Sequence, residues 1–208
     1  MKIYDISMLI ADAMPVYKNK KEKRPQLTVT RDFNNGDIYE SRILMDMHCG
    51  THMDAPKHVV KDGQSIDGQD LNQVVGNCQV LDLTHLTETI GRQDLVRQEI
   101  EAGDFILFKT KNSYCDSFDA NFVYLTEDGA KFLEEKKIRG VGIDALGIER
   151  GQPGHPTHTI LLAAGIVILE GLRLANINPG PYFLCAAPLK ICSAEAAPVR
   201  AYLIEDLR

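Results

Sequence analysis

Short apolar runs, separated by polar stretches that carry glycine and proline, recur along the whole chain. Segments 39–48, 79–83, 104–109, 140–143, 166–170, 182–190 and 198–204 are rich in Val, Ile, Leu and Phe, which predicts strands, most of them buried. Between them, segments 92–101, 126–137 and 156–164 predict helices. Thr126 is placed as an N-cap, its hydroxyl accepting a backbone N–H that has no helical partner. Pro156 suits the first turn of the third helix and Gly165 its left-handed stop. The pattern is that of a mixed α/β chain. Periodicity leaves the sheet order open, between a sandwich of sheets and a doubly wound sheet.

Composition narrows the class without changing that picture. Hydrophobic residues make up 44% and charged residues 25% of the 208, close to average usage, which excludes disorder, collagen-like repeats and coiled coil. No repeat, low-complexity tract or Pro/Gly/Ser-rich linker divides the sequence, so residues 1–208 are read as one domain. The formal net charge of -6 offers no positive field to a polyanion, and nucleic acid is excluded as a partner. The one basic cluster, Lys18, Lys20, Lys21, Lys23 and Arg24, is interrupted by Asn19 and Glu22 and stops at Pro25. It reads as a solvated loop rather than an anion-binding lid.

Five cysteines, Cys49, Cys78, Cys115, Cys185 and Cys192, form no CxxC pair, and their odd number fits a reducing compartment. Asp5 and Asp12 interrupt the N-terminus before any long apolar run, so no signal peptide is expected. Nothing approaches the ~20 apolar residues of a membrane helix. A cytoplasmic protein with no membrane partner is the expectation.

The chemistry concentrates in HCGTHMDAPKH. His48, His52, Asp54 and His58 bring three imidazoles and one carboxylate into eleven residues, side chains that bind zinc, manganese or iron near neutral pH. Gly50 and Pro56 exclude a helix, so the ligands are not presented on adjacent helical turns. On an extended chain His52 and Asp54 point to one side and converge on one ion. His48 would stand ~13 Å from His52 on a straight strand. The chain must therefore bend, and Gly50 permits it. Cys49 points away from its neighbours and is left out of the ligand set.

A second group lies downstream. Glu170 closes GIVILE, a strand inside the core, where an unpaired carboxylate costs several kcal/mol or more unless a cation meets it. The cation is a metal, or else Arg173 or Lys190. His158, in the first turn of the preceding helix, can meet Glu170 at one end of the strand through the Gly165 turn. His85 and His155 lack such support, although His155 stands in a loop that can border the site.

These residues carry a resemblance. HCGTHMDAPKH resembles the HxGTHxDxPxH signature of the bacterial kynurenine formamidase and cyclase family of metal-dependent hydrolases. YDISMLIADAMPVY, VGIDA, HTILLAAGIVILEGL, CAAPLK and APVRA extend the likeness over nearly the whole chain. The resemblance implies a swivelling β/β/α domain with mixed sheets and a few helices, assembled as a homodimer or higher oligomer. It implies that His48, His52 and Asp54 hold a first ion. It further implies that Asp54 and Glu170 bridge to a second ion held by His158, and that His58 donates and accepts the proton.

The activity implied is that of an arylformamidase, converting N-formyl-L-kynurenine and water to L-kynurenine and formate in tryptophan catabolism. Zinc is the expected ion, one or two per chain, with manganese as the other candidate. Tyr17 is assigned to the small-molecule amide substrate, stacking on its aromatic ring. It stands where the family's formamidases carry Trp, and the chain has no Trp at all; the family's TPS is here Ala145, Leu146 and Gly147. Two other readings are kept beside it. One is a related hydrolase opening a cyclic amide, imide or lactone such as isatin. The other is a noncatalytic protein with a closed structural metal site, against which the extra imidazole of His58 argues.

Overall fold

The structure, a computed structural model, describes residues 1–205. In chain order the strands are β1 (Lys2–Asp5), β2 (Gln26–Arg31), β3 (Glu40–Leu44), β4 (His52–Asp54), β5 (Val75–Asp82), β6 (Thr89–Ile90) and β7 (Phe105–Lys109). There follow β8 (Tyr124–Leu125), β9 (Gly140–Ile143), β10 (Val167–Glu170), β11 (Gly180–Cys185), β12 (Ala196–Pro198) and β13 (Tyr202–Glu205). The helices are α1 (Arg92–Leu95), α2 (Glu127–Lys136) and α3 (Pro156–Ala163).

Nine strands form one mixed sheet in the order β1-β13-β11-β5-β7-β9-β10-β4-β12. Its centre, β5-β7-β9-β10, is parallel and the flanking strands are antiparallel. Alternation along β7 explains the layering: Ile106 and Phe108 enter a core with α2 and α3, whereas Phe105 and Leu107 enter a core on the other face. The second core takes Leu184 and Leu203 from one side of the sheet and Met53 and Ala197 from the other. The sheet therefore curls around it, which answers the question that periodicity left open.

The central predicted strands are found where the apolar runs place them. Strand 39–48 is shorter, ending at Leu44, and 182–190 is β11, ending at Cys185. Segment 198–204 is divided between the end of β12 and β13, which residues 199–201 join. Thr126 caps α2, accepting from Gly129 N, and Gly165 follows α3 with φ +72°. Segment 92–101 is corrected to one turn, Arg92–Leu95. Its buried apolar residues, Leu95 and Ile100, are five apart, a spacing that cannot share a helical face, and Val96 is left exposed.

Candidate metal centre

Strand β4 lies between β10 and β12, and its register assembles the site. His52 is paired with Glu170 across β10, and Asp54 with Ile168. Cross-strand partners share a face at about 5 Å, so His52, Asp54 and Glu170 emerge together while Met53 points into the opposite core. That shared face is the helical one. His158, in the first turn of α3, arrives there from above. Gly50 turns the chain at φ +70°, returning His48 to Asp54. Gly171, also at φ +70°, lies so close to Gly50 that a Cβ on it would stand 2.3 Å from the Gly50 carbonyl oxygen. Thr51 closes the contact, its hydroxyl donating to Gly171 O at 2.7 Å.

The donor atoms converge. Asp54 Oδ1 is 3.0 Å from His48 Nδ1 and 3.6 Å from His52 Nε2, and Asp54 Oδ2 is 3.5 Å from His158 Nε2. Glu170 Oε2 is 3.3 Å from His52 Nε2, and Glu170 Oε1 is 3.2 Å from His158 Nε2. His58 stands beside them, its ring 4.3 Å from that of His48 and 5.5 Å from that of His158. Donors of His48, Asp54 and His58 form one compact set and those of His52, Asp54 and Glu170 another, sharing Asp54. His58 thus borders the ion-binding donors, while His48 touches Asp54 directly at 3.0 Å.

Two observations show that this set fits a divalent cation. Both oxygens of Asp54 and Nε2 of His52 and His48 are buried with no hydrogen bond of good geometry. Such atoms are costly unless something else satisfies them. Their chemistry, imidazole nitrogen with carboxylate oxygen, is that of zinc, manganese and iron sites. The rings are also oriented from behind. His52 Nδ1 lies 3.0 Å from Gly50 O, leaving Nε2 to face the carboxylates, and Ile148 N donates to Glu170 Oε1 at 2.6 Å.

The electrostatics follow from this crowding. Burial alone would raise Asp54, but the contacts of His158 and His48 hold it well below the usual carboxylate range. Burial and the Asp54 charge would raise Glu170, yet His158 and His52 bring it to about 2. Burial opposes charge on His52, and Glu170 with Asp54 overcomes it, raising the ring to about 9. His158 is raised likewise, despite burial, by Asp54, Glu149 and Glu170. In His58 burial prevails and its pKa is lowered.

The cluster opens on a cavity of about 480 Å³ bordered by Tyr17, Lys18, Lys23, His58 and the 146–155 loop. Tyr17 is half-buried against Phe118, ring centroids 5.3 Å apart, and raised in pKa by burial. The basic segment is thus not wholly a solvated loop, since Lys18 and Lys23 stand at the cavity wall. Cys49 faces away, its Sγ 3.6 Å from Met14 Sδ. Neither Arg173 nor Lys190 reaches Glu170, whose partners are the two histidines and Ile148 N. Sequence reasoning passed over Glu149, buried beside His158, although it follows the apolar LGI much as Glu170 follows GIVIL. His155, set aside earlier, lines the cavity with Nδ1 2.5 Å from Glu149 Oε1.

Known proteins share this architecture. A family model described as "Putative cyclase" matches residues 4–150. A kynurenine formamidase of Salinibacter ruber is 32% identical over 206 residues, covering 98% of this chain and 97% of its own. A solved structure of a predicted metal-dependent hydrolase from Bacillus stearothermophilus is 51% identical with a TM-score of 0.90, covering 97% of each chain. Isatin hydrolase A from Labrenzia aggregata, at 24% identity and a TM-score of 0.84, shares the fold over 99% of this chain and 94% of its own. The match of the family model over most of the chain, with relatives of this extent, shows that the chain belongs to the cyclase family.

Proposed function

We propose that this enzyme is a metal-dependent amide hydrolase, an arylformamidase that converts N-formyl-L-kynurenine and water to L-kynurenine and formate. One observation carries the reading: five buried or half-buried donor side chains converge beside a cavity walled by Tyr17 and His58, with Asp54, His52 and His48 holding atoms there that no hydrogen bond satisfies. His48, His52, Asp54, His158 and Glu170 hold the ion or ions, zinc first and manganese second. A divalent ion held there lowers the pKa of bound water toward neutrality and polarises the amide carbonyl. Tyr17 stacks on the aryl ring. His58 takes the water proton and returns it to the departing aniline nitrogen, a task that its lowered pKa suits because the ring is neutral at pH 7.

The setting is read in the same way. All five cysteines are free, which supports a reducing cytoplasm, and no described helix is long and apolar enough to cross a membrane. A second copy of the chain is the partner proposed. The hairpin β2–β3 is exposed along both strands, with Leu27, Val29 and Ile43 on one uncovered face, and a lone two-stranded hairpin is only marginally stable.

Metal analysis of protein purified without chelator, joined to turnover of N-formylkynurenine and of isatin, tests the reading. His58→Ala is expected to keep its metal and lose about 10² to 10⁴ in kcat. Loss of metal together with activity moves His58 into the ligand shell. Turnover of isatin alone replaces the formamide by a cyclic substrate.

A further inference from the structure

His158 has two ring nitrogens and the metal reading uses one. Nε2 faces Asp54 and Glu170; Nδ1 is buried, makes no hydrogen bond of good geometry, and has Glu149 Oε1 3.2 Å away. A neutral imidazole carries one proton. If Nε2 gives its lone pair to an ion, the proton sits on Nδ1, and only an acceptor there fixes that tautomer.

Glu149 is built to be that acceptor. It is 4% exposed although it lies in the loop after β9, and each of its oxygens is engaged. Oε2 accepts from Thr157 N at 2.9 Å, which ties the carboxylate to the first turn of α3, the same turn that carries His158. Oε1 is hydrogen-bonded to Nδ1 of the exposed His155 at 2.5 Å and stands 3.2 Å from His158 Nδ1, close enough to take its proton after a small turn of the ring. His155 holds a left-handed backbone, φ +50°, immediately before Pro156, and this conformation turns its ring back toward Glu149. A carboxylate that served only to cap the helix would need the Thr157 contact alone.

We propose that Glu149 is a positioning residue for metal binding: it accepts the Nδ1 proton of His158, directs Nε2 at the ion, and is itself steadied by His155. The inference rests on His158 being a ligand. The competing use of the same atoms is a separate ion held by Glu149, His155 and His158, whose donors also lie close together.

Zinc affinity of the whole protein, stripped and reloaded in competition with a chromogenic chelator, separates these cases. Glu149→Gln keeps the side-chain volume and should bind zinc about 10- to 100-fold more weakly at unchanged stoichiometry, while His155→Ala stays within about threefold of the parent. Affinity unchanged in Glu149→Gln overturns the proposal, and loss of one equivalent makes Glu149 a ligand, which also overturns it. Nitrogen-15 NMR of the zinc-loaded parent gives a second reading that survives any folding defect of the variant. It should show His158 protonated at Nδ1 and bound through Nε2; the opposite tautomer overturns the proposal. A parent protein that takes up no zinc would instead bring down the metal reading on which the inference stands.

Discussion

Asp54 is fully buried, has no hydrogen bond of good geometry at either oxygen, and lies within 3.6 Å of three imidazoles. Two of those rings, His52 and His158, supply the compensating charge in metal-free protein. At pH 7, His52, raised to about 9, and His158, also raised, carry protons, while Asp54, held well below the usual carboxylate range, and Glu170, lowered to about 2, are ionised. An ion needs the lone pairs that those protons occupy, so loading should release about two protons per site. Affinity should therefore rise with pH through the neutral range and level off above about 9, as His52 deprotonates. Calorimetric titration in buffers of different ionisation enthalpy measures the release; a count of zero contradicts the assignment of His52 and His158. His48, His52 and Asp54 were legible in the sequence because metal-binding types are rare and here they crowd into eleven residues. Glu149 was not, since only the packing of α3 on the loop after β9 brings it to His158.

Among the elements, those buried on both faces were the readable ones: β7, β9 and β10 are buried at every position and appear as continuous apolar runs. Strands β1, at the sheet's edge, and β2, outside it, are short and exposed and were passed over, whereas β3 was read within the run 39–48. Strand β4 was visible only as an extended ligand segment. Its bend at Gly50 was inferred correctly, but the close partner Gly171 was not, because the approach joins residues more than a hundred positions apart. A paired substitution tests that contact. Gly165 has φ +72° and open space around its Cβ position, so Gly165→Ala should cost only the conformational penalty, about 1 kcal/mol. Gly171→Ala adds a clash with the Gly50 carbonyl and should cost about 2 kcal/mol or more, with weaker metal binding because Glu170 and the His48 turn both shift. Equal losses in urea denaturation of metal-free protein would show that the close approach relaxes freely.

At the scale of the molecule, strand order and curl were beyond the sequence, since they depend on pairings such as β1 with β13 that periodicity cannot register. The same is true of the hairpin's purpose. Residues 26–44 project without burying a strand residue, and register sets Leu27 opposite Ile43, with Val29 on the same face. Leu27 is 59% and Ile43 47% exposed, a continuous apolar surface that a monomer leaves in water. If a second copy covers it, a charge at that face should break the assembly without touching the metal site. Leu27→Lys combined with Ile43→Lys is expected to halve the mass measured by sedimentation equilibrium while zinc content stays at the parent level. The double variant also separates folding from assembly, because the nine-stranded sheet makes no use of the hairpin. A parent that sediments as a monomer, or a variant whose mass is unchanged, would refute the proposal that this face joins two copies.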